Sequence, residues 1–286
     1  MQITIIGLGL IGGSIGLKLK SLGRADLKIV GVPRREETIH QAKTLGAIDE
    51  GTTDPKAGVS QADIVFIATP INLVIPILEE IAAALKPNAI VTDVASSKEG
   101  IVLQAAKLMP KGAFFVGGHP LAGKETVKLE SAEIDLFVNK VWALTPNSKT
   151  SKKALTAVSK LAILLGGVPV ELDPKLHDLA VAGISHMPLA VAVALVDAVS
   201  SAKNGKEQMM KLAASGFRDT TRIASGDPIL GVDMFVTNKK AVLKMIGAFK
   251  KSLSGLEKLI KEGDPQKIEH ELEKVKAFRD SIESLS

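Results

Sequence analysis

The sequence predicts an α/β protein in two parts, a Rossmann-type doubly wound parallel sheet over residues 1–172 followed by an all-α helical dimerisation domain over residues 173–286. Three observations carry that expectation. Short apolar runs alternate with helical patterns through the first part, a GLGLIG segment joins the first run to its helix, and beyond Asp173 the strand signal gives way to long helical periodicities. In order, ITII (3–6), KIVGV (28–32), DIVFIA (63–68), AIVTDV (89–94), AFFV (113–116), VWAL and VPVEL (168–172) read as strands. Helical patterns lie between most of them, as at 73–85 and 100–108. Apolar strands separated by helices argue for a parallel sheet covered on both faces.

Past Asp173-Pro174, a helix start, Phe249, Leu253, Leu256 and Ile260 fall on one helical face, as do Ile268, Leu272, Val275 and Ile282. Such faces suit a homodimer core. Residues 179–196 form an uncharged stretch close to a membrane span in length, but Gly183, His186 and Pro188 lie within it, so a buried core helix is expected and no membrane.

Composition bounds the function. The 286 residues are 46% hydrophobic and 23% charged, which excludes a disordered charged tail protein. The net charge of +5 is small and its surplus sits in residues 201–250, with 9 basic against 4 acidic groups, so no nucleic-acid surface is expected. There is no Cys, hence no disulfide, thiolate metal site or cysteine nucleophile, and no Tyr to act as acid or base. No metal is expected. The start MQITIIGLG has no basic segment ahead of an apolar stretch and no small-residue cleavage site, so the expected location is the cytoplasm.

Gly7-Leu8-Gly9-Leu10-Ile11-Gly12 follows the first strand directly. Gly7 would allow the sharp turn, Gly9 close approach of a pyrophosphate, and Gly12 helix-on-strand packing, with the phosphates at the helix N-terminus beside Leu10 and Ile11. Thr69, just past the DIVFIA strand, is assigned to the same cofactor site. At the end of the second strand the chain reads Val32-Pro33-Arg34-Arg35, with no carboxylate until Glu36. A carboxylate there would take ribose hydroxyls, whereas a guanidinium clamps a 2′-phosphate. NADP is therefore expected over NAD, through Arg34 and Arg35.

Of five His residues, His40 and His270 lie in charged amphipathic stretches and read as surface. His119, in Gly117-Gly118-His119-Pro120, and Ser96, in Asp93-Val94-Ala95-Ser96-Ser97-Lys98, each follow a buried strand, where doubly wound sheets bind ligands. His186 lies two residues before Pro188, which should bend its helix. His177, nine residues earlier, falls half a turn out of phase on an ideal helix, so the two are not expected to share a site. Arg218 and Arg222 share a helical face, which fits either a substrate carboxylate or interhelical ion pairs.

Taken together, GLGLIGGS, DVASSK, GGHPLAGKE, ISHMP and GFRDTTRIASGDP, in this order along nearly the whole chain, resemble the TyrA family of prephenate and arogenate dehydrogenases. The resemblance implies that hydride leaves the ring carbon bearing a hydroxyl and that loss of the ring carboxylate gives an aromatic product. It implies His119 as the base, Ser96 orienting His119 near the nicotinamide, Arg222 holding the ring carboxylate with Arg218 in support, and His186 touching substrate. Lys124 stands where many members carry Thr or Ser, and Gly231 where some prephenate users carry Trp. With Arg34 in place of an acidic residue, the pattern is more like the NADP-linked arogenate enzymes. The alternatives are prephenate as substrate, another NADP-linked oxidoreductase of the β-hydroxyacid or imine-reducing kind, and a non-catalytic NADP-binding sensor. A small anionic substrate is the expected partner.

Overall fold

The computed structural model describes residues 1–124 and 128–283. Its first part runs β1 (Gln2–Ile6), α1 (Leu10–Ser21), β2 (Lys28–Val32), α2 (Glu36–Thr44), β3 (Glu50–Gly51), α3 (Pro55–Val59), β4 (Ile64–Ile67), α4 (Val74–Ile81), β5 (Ile90–Asp93), α5 (Glu99–Leu108), β6 (Phe114–Pro120), β7 (Val141–Thr145), α6 (Lys152–Leu164) and β8 (Val168–Glu171). The eight strands form one sheet in the order β3-β2-β1-β4-β5-β6-β7-β8. Crossing from β3-β2-β1 to β4-β5-β6 reverses the winding between β1 and β4, and a ligand crevice opens at the carboxyl ends of those two strands.

Successive residues of the strands bury on opposite faces, which is why the runs are continuously apolar. Ile3 and Ile5 pack with Ile15 and Leu19 of α1. Ile6, Val65 and Ile67 pack on the other face with Leu78 and Ile81 of α4. Short 3-10 turns at Ile71–Leu73 and Ala82–Ala84 flank α4, so the helical pattern at 73–85 is one α-helix of eight residues with tighter ends.

One expectation for the sheet is corrected. β6 pairs with β7 antiparallel, and β8 is parallel to β7, so the last two strands run against the other six. Parallel neighbours need a crossover that returns the chain to its starting edge. Between β6 and β7 the described residues hold only a 3-10 turn, Leu129–Ser131, and the chain comes back reversed. Trp142 on β7 still fills the core, packed against Phe66 and Phe137.

Past β8 the chain is helical: α7 (Pro174–Val181), a π-helical turn (Ala182–His186), α8 (Met187–Ser200), α9 (Lys206–Leu212), α10 (Ser215–Thr221), a 3-10 turn (Arg222–Ser225), α11 (Pro228–Thr237), α12 (Lys239–Glu262) and α13 (Pro265–Glu283). Asp173 caps α7, its carboxylate accepting the Lys175 and Leu176 N–H groups, with Pro174 at the first position. The bend expected from Pro188 takes the form of the π turn just before it. Proline offers no N–H to the Ile184 carbonyl, and a widened turn is one way a helix absorbs that loss.

Burial of this region differs from expectation. The Pro174–Ser200 stretch is long and apolar enough to cross a membrane, an 18-residue window within it having a mean hydropathy of 2.1, yet only 22% of that window is buried within the chain. Within α8 only Ala192 is buried. The helix packs on α12 and α10 along one side, while Ile184, Val193 and Val196 face outward, as do Leu253, Ile260, Leu272 and Val275 of α12 and α13. A single chain thus leaves apolar surface that its own helices do not cover.

Candidate active site

The glycine turn is built for close approach. Gly7 adopts φ +95°, and a Cβ there would stand 2.6 Å from the Ala68 carbonyl oxygen. A Cβ on Gly12 would lie 2.0 Å from the Gly7 carbonyl oxygen, so α1 can start against this turn only with glycine. Helix α1 has no side-chain cap and no acidic residue in its first turn, which leaves its N-terminal amides and dipole for an anion. Across the switch point, Thr69 follows β4, and its buried Oγ1 has no hydrogen-bond partner. Gly7, Gly9, Leu10, Ile11, Gly12 and Thr69 therefore form one cradle whose chemistry fits a dinucleotide pyrophosphate.

The Gly7 amide donates to the Val32 carbonyl at 3.0 Å, which brings the end of β2 against the same turn. Arg34 and Arg35 project there, both exposed and without an ion pair among the described residues. Glu36 is turned aside, accepting from Thr53 Oγ1 at 3.1 Å.

The second half of the site hangs on β6. A Cβ on Gly117 would meet Thr145 Oγ1 at 2.3 Å, and one on Gly118 the Asp93 carbonyl oxygen at 2.6 Å, which explains the paired glycines before His119. Both backbone groups of Gly118 are clamped by charge: its N–H donates to Asp93 at 3.1 Å, and its carbonyl accepts from Lys98 Nζ at 2.9 Å. Asp93 and Lys98 pair with each other and are fully buried. Burial pushes the Lys98 ammonium down from its ordinary pKa, with Asp93 opposing. The β5–β6 ladder ends at Thr92 and Val116, so this ion pair takes over where ladder bonds stop and fixes the strand that carries His119.

His119 Nδ1 stands 2.9 Å from His177 Nε2, and His177 Nδ1 2.8 Å from Asp178 Oδ1. Burial, then the neighbouring His177, Lys98 and His186, hold His119 well below the usual imidazole pKa of 6.5. It is neutral at physiological pH and able to accept a proton. Asp178 also accepts the Lys98 N–H at 2.6 Å and the Glu99 N–H at 2.9 Å, so a carboxylate from α7 caps α5 of the sheet domain. Asn238, buried between α11 and α12, donates to the Asp178 carbonyl at 2.7 Å and contacts His186 Nδ1 at 3.2 Å. Burial lowers the His186 pKa to about 4, Asp178 opposing.

Several placements depart from the sequence reading. His177 and His186 meet the same Asp178–Asn238 cluster, because the π turn between them breaks the ideal helical phase. No hydrogen bond joins Ser96 to His119, whose Nδ1 faces His177. His186 is 1% exposed and engaged with Asn238. Arg218 and Arg222 are exposed on α10 and the 3-10 turn packed against α8, and Lys124 pairs with Glu133. The sequence reading missed Asp93, Lys98, His177, Asp178 and Asn238 as members of the site. The adjacent His177-Asp178 pair just after a capped helix start, and the two charges that bound the DVASSK motif, were the available signals.

Comparison with known proteins decides the family. Residues 15–171 match the model of the prephenate dehydrogenase nucleotide-binding domain, and residues 173–274 that of the prephenate dehydrogenase dimerization domain. The chain belongs to the TyrA family of prephenate and arogenate dehydrogenases. The prephenate dehydrogenase of Bacillus subtilis (strain 168) is 34% identical over 281 residues, covering 98% of this chain and 76% of that protein. The structure of Synechocystis arogenate dehydrogenase superposes with a TM-score of 0.89 at 37% identity, covering 99% of this chain and 100% of that one. Prephenate dehydrogenase from A. aeolicus, solved with hydroxyphenyl propionate and NAD+, gives a TM-score of 0.91 at 36% identity over 99% of this chain and 98% of that one. As a TyrA-family member the chain is an oxidoreductase that uses a pyridine nucleotide, which sets aside the β-hydroxyacid and imine-reducing alternatives.

Proposed function

We propose that this TyrA-family enzyme oxidises arogenate to tyrosine with NADP, as a cytoplasmic homodimer divided at residues 172/173. The observation that carries the cofactor assignment is the pair Arg34 and Arg35 at the end of β2, exposed beside the glycine turn and in no ion pair among the described residues, with Glu36 held away by Thr53. The guanidinium groups would hold a 2′-phosphate. Gly231, where some prephenate users carry Trp, supports arogenate.

In this reading the nicotinamide, when bound, accepts hydride from the ring carbon that bears the hydroxyl. His119 takes the hydroxyl proton through Nε2, the nitrogen not engaged by His177. Arg222, with Arg218 one turn earlier, holds the ring carboxylate through charge-assisted hydrogen bonds. Ser96 lies at the end of β5 toward the nicotinamide, and Lys124 lies past His119 near the substrate.

Initial rates on arogenate and prephenate, each with NADP and NAD, test the assignment. Arogenate with NADP is expected to give the highest kcat/KM, and a preference for NAD or for prephenate would overturn the corresponding half. Arg34→Glu is expected to lower kcat/KM for NADP by about 10- to 100-fold, the worth of a hydrogen bond to a charged group. The same variant should leave kcat/KM for NAD within about twofold, because the ribose hydroxyls do not need the guanidinium.

The low His119 pKa sets a pH dependence. A group held below 6.5 in the free enzyme stays deprotonated as pH falls through that value, so the base is lost only further down. The kcat/KM profile is expected to remain flat from neutral pH through 6.5, with its acid limb well below. An acid limb at or above 6.5 would contradict a desolvated base.

The uncovered apolar faces of α8, α12 and α13 support a second copy of the chain as their cover. Sedimentation equilibrium at micromolar protein should return the mass of two chains, and a monomer would remove this part of the reading.

A further inference from the structure

Asp178 accepts the Lys98 and Glu99 N–H groups, one on each oxygen, and so meets His177 as an acceptor. The hydrogen between them therefore sits on His177 Nδ1. A neutral His177 then presents only a lone pair at Nε2, and the hydrogen of the 2.9 Å link to His119 comes from His119 Nδ1. His119 Nε2 is left bare, as a base requires. His177 is 1% exposed, and its ring meets His119 edge to face with centroids 5.1 Å apart.

We propose that His177, anchored by Asp178, is a positioning residue that fixes His119 in its Nδ1–H form and takes up that hydrogen while His119 Nε2 holds the substrate's proton. The function of the link rests on the dehydrogenase reading above. Protons and electrons balance without an outside acid. The substrate O–H bond breaks as His119 Nε2–H forms, and the His119 Nδ1–H hydrogen passes to His177 Nε2. Hydride leaves the ring carbon for the pyridine nucleotide, the oxidant of the family reaction, and the oxygen becomes a carbonyl. The bond to the ring carboxylate then breaks, its electron pair enters the ring and CO2 departs. The phenolate oxygen takes the proton back from His119 Nε2 as His177 returns its own hydrogen to Nδ1. Between these steps the positive charge lies on His177, directly against the Asp178 carboxylate.

The test pairs kinetics with a readout that needs no turnover. In ¹⁵N-histidine-labelled wild-type protein, long-range ¹H–¹⁵N correlation is expected to show His119 protonated at Nδ1 and bare at Nε2, the signal being identified by its loss in His119→Asn. A His119 found protonated at Nε2 would overturn the proposal, whatever the enzyme turns over. In kinetics, His177→Asn is expected to lower kcat by about 10- to 100-fold with KM for substrate and cofactor within about twofold, and to move the acid limb of kcat/KM up toward 6.5. His177→Gln, whose amide oxygen can accept from His119 Nδ1 but cannot take its hydrogen, should keep the tautomer and recover only part of kcat. Full kcat and an unmoved profile in both variants would overturn the proposal. Absence of wild-type turnover on arogenate and prephenate would defeat the functional reading instead, leaving the tautomer measurement to judge the link.

Discussion

His119→Asn is expected to cost about 10²- to 10⁴-fold in kcat while leaving the Kd for NADP within about twofold, the span that a positioned general base contributes. The substitution is nearly silent for the fold. Asparagine fits the volume at the end of β6, and its amide can still donate to His177 Nε2, so the Asp178–His177 link and the cap on α5 remain. What disappears is a basic lone pair. The dinucleotide cradle is formed by β1, α1 and Thr69 on other strands, so binding has no reason to change. Steady-state rates with a fluorescence titration of NADPH separate the two effects. Wild-type turnover in the variant would remove His119 as the base. Retained cofactor affinity with lost turnover would exclude a protein that only senses NADP.

Gly12→Val is expected to abolish measurable cofactor binding and to lower stability by about 1–3 kcal/mol, the usual cost of forcing atoms into a packed site. The neighbour that a Cβ would strike, at 2.0 Å, is the Gly7 carbonyl oxygen, part of the backbone and unable to rotate away. Relief requires α1 to back off from β1, and the amides that would meet the pyrophosphate move with it. Gly100 is the contrasting position. It lies inside α5, and a Cβ added there would meet nothing within 4 Å, so Gly100→Ala is expected to raise stability by about 0.5–1 kcal/mol. Thermal melts of both variants beside an NADPH titration provide the check. A cofactor affinity unchanged by valine would mean that the turn does not carry the phosphates.

The parts of this architecture that were legible in the sequence are those written in contiguous residues. Buried parallel strands must be apolar on both faces, so β1, β2, β4 and β5 stand out as runs, and the glycine turn announces itself because no other residue tolerates φ +95° at Gly7 against the Ala68 carbonyl. The two-residue β3 is too short to carry a pattern, and the reversed direction of β7 and β8 is set by the loop before them, whose composition says nothing of direction. The site was legible only where a strand end marks it. Ser96 lies just past β5 as the sequence places it, whereas β6 extends through His119 to Pro120, so the histidine sits at the strand's end rather than after it. The groups that fix His119 come from sequence positions scattered over more than a hundred residues, and their shared address depends on a π turn that shifts helical phase. The pairing of Lys98 with Asp93 carries no local signal, because burying such a pair requires tertiary structure to complete it.

Asp178 has a mechanical consequence. Its two oxygens grip the first amides of α5 in the sheet domain while its own backbone carbonyl is held by Asn238, and Ser97 bonds Thr237 at 3.0 Å alongside. Swinging the helical domain about a distant axis would strip a buried carboxylate of its donors, so the least disruptive motion turns about Asp178 itself. The seam next to the reacting imidazole is thus a fulcrum. A histidine held beside such a seam keeps its orientation when parts of the chain far from it move.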